Sequence, residues 1–303
     1  MLAGSGLFAI MSAFAHALGE RCDWPWVALV RSILVWLLAL GLAWSAGVRL
    51  VWLRPLTLWW RSLAGSLSML CTFYALTHLP ISDVLTLTNT FPLWVAVLSW
   101  PLLGEVPHPR VWVAVAFGLL GIVILEEPRL LAGNWATLMA VLASVFTAIA
   151  MLGLNRLQAL DPRAVVVHFS AVATLFGGLA IGLFETRAVG DNDWGWVTLW
   201  LLLGVGVTAT VGQVFLTKAF AAGAPAEVAV VGLSQVVFAW LIDVWWWQRP
   251  LTSSAVVGTG LILAPTAWLL LSKRASRTRS TVPLATAPAT APPLAEAEHD
   301  SRS

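Results

Sequence analysis

Apolar residues in this chain come in long blocks, and polar residues gather in the short stretches between them. Cut at its charged, glycine and proline punctuation, the sequence yields ten blocks, near residues 2–18, 25–45, 58–79, 82–103, 110–125, 133–155, 163–184, 196–220, 225–247 and 251–271. A bilayer core of about 30 Å is crossed by about 20 residues of helix, so each block predicts a membrane span. Runs such as 111–125 and 197–207 are apolar on every face, whereas strands of a membrane barrel would alternate in pieces of about ten residues. The pattern therefore predicts an all-α integral membrane protein with ten transmembrane helices. The first block ends in Ala15-His16-Ala17, which resembles a small-residue cleavage site, but no positive segment precedes it, and it is read as a retained span.

Part of the pattern occurs twice. Tyr74-Ala75-Leu76, followed by Pro80 and Asp83, returns as Lys218-Ala219-Phe220, followed by Pro225 and Glu227, with the alanines and the acids each displaced by 144 positions. Ser12-Ala13-Phe14 returns as Ser144-Val145-Phe146. The blocks divide into a first repeat of five spans over 1–127 and a second over 128–272. An odd number of spans per repeat makes the second copy enter the membrane from the opposite side, so the repeat is inverted.

Composition agrees: 59% of residues are hydrophobic and 11% charged, with mean hydropathy +0.85, against about 25% charged in soluble domains. The net charge of +2 sits in loops and tail and gives no reason to expect nucleic acid. Equivalent loops of the two halves differ in sign. The loop after span two carries Arg49 and Arg54, while its counterpart after span seven carries Glu185, Arg187, Asp191 and Asp193. The loop after span six has Arg156 and Arg163, and its counterpart after span one has Glu20, Arg21 and Asp23. The positive-inside rule then places both termini in the cytoplasm of a cell whose inner, plasma membrane holds the protein. Arg61, near the start of span three, counts with the inner charges. Lys273, Arg274, Arg277 and Arg279 suit an anionic cytoplasmic leaflet. The remainder of 273–303 is Ala, Pro, Thr, Glu and Ser and reads as a disordered cytoplasmic tail. Cys22 and Cys71 make neither a disulfide nor a metal site plausible, and no cofactor is expected.

Residues 72–83, then Asn89-Thr90-Phe91-Pro92, Leu103-Gly104-Glu105 and Gly121, resemble the EamA module of the drug/metabolite transporter superfamily. In the second half Ala219, Pro225, Asp243, Gln248 and Gly258 fall where that module repeats, so the resemblance covers roughly residues 1–272. It implies ten helices as two inverted five-helix repeats with a central pathway between them, carrying small metabolites, amino acids, nucleosides or xenobiotics. The copies diverge where Gly104-Glu105 is answered by Trp247-Gln248-Arg249, which leaves Asp243 as the acid at that end of span nine.

Polar groups inside the membrane are the candidate chemistry, since a charge at the bilayer centre costs at least about 2.5–3.5 kcal/mol. Span four holds Thr86 and Asn89 ahead of Pro92 and Trp94; span nine holds Ser234 and Gln235 at matching depth, and span eight holds Gln213. These six are candidates for the substrate pathway, with helix–helix hydrogen bonding as the alternative for Asn89 and its neighbours. Amides and hydroxyls converging from two repeats would suit a zwitterionic or hydroxylated ligand. Arg31 is expected either to pair with Asp83 or Asp243 or to bind substrate, and His16 and Asp243 are candidates for proton coupling. Gly178 and Gly182 have the GxxxG spacing, expected to pack within the chain, with a homodimer face as the alternative. No H-E-x-x-H, no nucleophile paired with histidine and no P-loop occurs. The function expected is a secondary transporter of a small organic molecule, amino acid-like, nucleoside-like or xenobiotic, working by alternating access. The alternatives are an intramembrane enzyme or a non-transporting scaffold.

Overall fold

A computed structural model describes residues 1–18, 24–79, 81–126, 135–183, 195–246, 248 and 252–280. Among them every regular element is helical: α1 Leu2–Leu18, α2 Trp24–Ser45, α3 Leu56–His78, α4 Ile81–Thr88, α5 Phe91–Leu103, α6 Pro109–Glu126, α7 Trp135–Asn155, α8 Pro162–Leu183, α9 Trp196–Ala222, α10 Pro225–Gly232, α11 Ser234–Trp246 and α12 Ser253–Ser280. Five stretches are long and apolar enough to cross a membrane, namely Pro25–Ser45, Trp135–Asn155, Pro162–Gly182, Trp196–Ala222 and Pro225–Trp246. Large apolar side chains such as Leu37, Leu175, Leu179 and Val207 point outward away from the helix ends. Trp44, Trp60, Trp135, Trp196 and Trp246 are exposed at helix ends. An aliphatic outer face between aromatic ends is the surface of a multi-pass membrane protein.

Two expected spans are each broken in two. Span four divides into α4 and α5 at Asn89-Thr90, and span nine divides into α10 and α11 at Leu233. Pro92 lies in the first turn of α5, where a missing N–H costs nothing. The Asn89 amide donates to the Leu85 carbonyl at 2.8 Å and the Thr90 hydroxyl to the Leu87 carbonyl at 2.6 Å, so the last turn of α4 supplies its own partners. At the second break the Ser234 hydroxyl donates to Val231 O at 2.7 Å and Leu233 N–H to Val230 O at 3.1 Å. The breaks adjoin: a Cβ on Gly232 would stand 3.6 Å from the Phe91 ring, and Phe91 packs on the cluster that contains Leu233.

The packing of the helices exchanges between halves. α3 lies on α7 as α9 lies on α1; α3 meets α8 as α9 meets α2; α5 meets α7 as α11 meets α1; and α2 lies on its own equivalent, α8. This reciprocity is what a two-repeat architecture produces. The most extensive contacts therefore join one repeat to the other, and among the described residues every apolar cluster draws on both repeats. Close approach rests on small residues: a Cβ on Gly204 would stand 2.8 Å from the Phe14 ring, and one on Gly121 2.7 Å from the Gly258 carbonyl.

Three expectations fare differently. A Cβ on Gly178 or Gly182 would meet nothing within 4 Å among the described residues, so these glycines do not form the packing motif expected there; α8 approaches α2 through Gly177, whose Cβ would lie 3.4 Å from Leu29. α12 continues to Ser280, into the segment expected to be structureless, and the rest of the tail from 281 on lies outside the described residues. The side chains of Asp83 and Asp243 also lie outside them.

Candidate functional site

A cavity of about 700 Å³ lies where the two repeats meet, walled by α1, α2, α3, α7, α8 and α9, with Leu85 of α4 and Ala239 of α11. Its most polar wall is α3. Arg61, Gly65, Ser68 and Thr72 all line it, at the spacing of one helical face. The distance from Thr72 to Arg61 is eleven residues, about 16 Å along the helix. Ser68 closes that wall against α7, donating to Ala143 O at 2.8 Å and sharing a 2.6 Å hydrogen bond with the Thr147 hydroxyl.

Arg61 is 1% exposed, and its Nε and Nη1 have no hydrogen-bond partner. The guanidinium carbon stands 3.8 Å above the centre of the Phe169 ring, a cation–π contact that leaves the in-plane donors unanswered. Room for the side chain comes from two glycines. A Cβ on Gly65 would sit 2.8 Å from the Phe169 ring and 3.3 Å from Arg61 Nη1, and a Cβ on Gly153 would sit 3.0 Å from Arg61 Cβ. Arg31 of α2 lines the cavity nearer the end where α1 stops and α2 begins, and its Nε also lacks a partner. His16, Val27 and Ala28 line the same region. Gln213 of α9 contributes its amide, with Oε1 unbonded. Among the described residues no carboxylate lines the cavity.

The opposite end of the bundle is shut. Arg110 Nη2 at the start of α6 faces Glu227 Oε1 at the start of α10 across 3.7 Å. The Arg156 guanidinium donates to the Leu102 carbonyl, and Asn155 Nδ2 donates to the carbonyls of Phe220 and Gly223 at 3.1 and 3.2 Å. Beneath Arg61 lies an apolar cluster that includes Leu58, Leu152, Leu216 and Phe220.

Of the residues singled out from the sequence, Gln213, Arg31 and His16 line the cavity. Thr86 and Ser234 are buried elsewhere, Trp94 packs on the apolar cluster, and Asn89 and Gln235 do not reach the cavity. Asn89 and Ser234 direct their polar atoms to the ends of the broken helices. Asp243 lies outside the described side chains. Arg31 has no carboxylate partner among the described residues. Arg61, counted among cytoplasmic charges, is a buried cavity residue; the polar face through Gly65, Ser68 and Thr72 was the signal that could have revealed it.

Two packed repeats around a mostly apolar cavity set with a few polar side chains are the architecture of a multi-pass transporter of a small molecule. The chain belongs to the EamA-like transporter family, whose model matches residues 1–126 and 134–271, and thus to the drug/metabolite transporter superfamily. It is similar to the pseudopaline exporter CntI of Pseudomonas aeruginosa, with 30% identity over 275 residues covering 88% of this chain and 92% of that protein. A riboflavin transporter of Vibrio cholerae is 29% identical over 229 residues, 73% of this chain and 74% of the relative. A solved crystal structure superposes with a TM-score of 0.77 at 17% identity, over 90% of this chain and 97% of that one, and supports the fold alone.

Proposed function

We propose that this protein is a secondary transporter that moves a small organic metabolite across the inner (plasma) membrane by alternating access, rocking two inverted repeats about the cavity between them. The observation that carries the reading is a cavity, mostly apolar with a few polar and two arginine side chains, bounded by both repeats and closed at one end by contacts between them. Relatives named for export of pseudopaline and for transport of riboflavin support an organic cargo. The loop charges put both termini in the cytoplasm, and removing Arg61 from the inner side leaves that bias standing. The closed end, with Arg110, Arg156 and Glu227, is then cytoplasmic, and the cavity faces outward.

Gln213, Arg31 and Arg61 form the pathway in this reading, with His16 at its mouth. Asn89, Thr86, Trp94, Ser234 and Gln235 shape the broken helices that border it. Purified full-length protein in liposomes, preloaded in turn with amino acids, nucleosides, flavins and organic acids, is expected to show saturable counterflow of at least one labelled solute. Linear, non-saturable leak for every solute by folded protein overturns the assignment.

A further inference from the structure

We infer that the cavity binds an organic oxyanion, a carboxylate or a phosphate ester, with the Arg61 guanidinium as its deep anchor and Arg31 as a second cation nearer the mouth. The inference rests on the transporter reading and specifies its substrate class. Arg61 is a guanidinium in low dielectric, 1% exposed, with two nitrogens lacking any partner. Burial of such a group is strongly unfavourable unless its charge and its donors are both answered.

Nothing described in the protein answers them. The described carboxylates that form an ion pair do so at the closed end, where Glu227 faces Arg110. Gln213, the amide in the cavity, has its own Oε1 unbonded and so serves neither arginine. Phe169 offers its ring face, which attracts the cation without accepting from its N–H groups.

The arginine is also accommodated by the chain around it. Gly65 on its own helix and Gly153 on α7 leave the space that its side chain occupies, and any larger residue at either position would meet it or Phe169. A mostly apolar pocket cleared for a cation, with Ser68, Thr72 and Thr147 beside it and no described acid, concentrates anions by its field. Guanidinium pairs with carboxylate or phosphate through two parallel N–H···O bonds, so either oxyanion would satisfy the donors together with the charge. A hydroxyl or ammonium elsewhere on the same molecule would meet the free Oε1 of Gln213.

The test uses full-length protein in two assays, thermal stabilisation in detergent and counterflow in liposomes. The probes are succinate, glutamate, citrate, glycerol 3-phosphate and a nucleoside monophosphate, each against its amide, methyl ester or dephosphorylated counterpart. At least one anion should stabilise the protein and be carried saturably, and its neutral counterpart should compete at least tenfold more weakly. Carboxylate and phosphate arms distinguish the two oxyanions. Arg61→Gln should raise the half-saturating concentration at least tenfold, Arg31→Gln several-fold and Arg61→Lys to an intermediate value, while exposed Arg49→Gln should change nothing. If Arg61→Gln does not fold, the comparison of anion with neutral counterpart on the unaltered protein decides. Saturable transport of neutral or cationic solutes with no preference for anions overturns the inference and leaves the transporter reading intact. Absence of saturable movement of any solute overturns both.

Discussion

At the scale of single residues, the chain's least hospitable position for a charge holds Arg61, and its neighbours explain how. The guanidinium stem passes between Gly65 and Gly153, where added Cβ atoms would stand 2.8 Å from the Phe169 ring and 3.0 Å from Arg61 Cβ. Overfilling a packed site typically costs about 1–3 kcal/mol. Gly153→Val is therefore expected to lower the thermal midpoint measurably and to displace Arg61. Gly182→Ala, at a position with nothing within 4 Å, should leave the midpoint within about 1 kcal/mol equivalent. A scan by tryptophan fluorescence of both variants decides the matter; equal midpoints would show that the glycines are not the arginine's cradle. Arg61 also shows why part of the site was hidden in the sequence. It lies five residues into α3, near enough to a basic loop for a rule about loop charges to absorb it. The face it shares with Gly65, Ser68 and Thr72 was present in the sequence, but only the packing of α7 and α8 shows that this face turns inward. Gln213 was legible as a polar group at mid-membrane depth, a signal it shared with Asn89 and Gln235, which do not reach the cavity.

At the scale of elements, the broken helices are where polar residues at matched depth were informative about architecture rather than cargo. Asn89 and Ser234 lie at corresponding places in the two repeats, and each hydrogen-bonds a carbonyl three or four residues back, in the half-helix that precedes the break. A helix that stops inside a membrane must find partners for its last carbonyls, because lipid supplies none. Sequence periodicity records that a polar group is present at that depth, not whether the backbone or a ligand uses it. Asn89→Ala and Ser234→Ala are accordingly expected to cost about 0.5–1.5 kcal/mol each in stability, the net worth of one hydrogen bond. The half-saturating concentration of a transported solute should stay within about twofold. An increase in that concentration with an unchanged thermal midpoint would instead make the side chain a ligand contact. The breaks themselves were only half legible: Pro92 announced the first, whereas Gly232-Leu233-Ser234 contains no proline and breaks against Phe91 and Met1 across the repeat boundary.

At the scale of the whole molecule, the echo at 144 positions and the reciprocal packing of α3 on α7 and α9 on α1 describe one duplication, first in sequence and then in space. Because the largest contacts join the repeats, opening the closed end requires separating pairs that belong to different halves. Arg110 and Glu227 are such a pair, and so are Arg156 and the Leu102 carbonyl. The Arg110–Glu227 pair is long, at 3.7 Å, and the arginine is 37% exposed. Screening limits a pair of this kind to about 0–1 kcal/mol, so neutralising Glu227 alone should shift the balance of open and closed forms by no more than about fivefold. Charge reversal acts more strongly, since Glu227→Arg sets two cations against each other at the seal. In a background with Cys22 and Cys71 replaced by serine, Phe220→Cys reports on that end, because Phe220 is fully buried beneath it. Glu227→Arg is expected to make this cysteine react with an impermeant maleimide applied from the cytoplasmic side of inside-out vesicles. The double exchange Arg110→Glu with Glu227→Arg should protect it again. Labelling from the opposite side would reverse the proposed orientation, and failure of the exchange to restore protection would show that the seal rests on the apolar cluster rather than on charge.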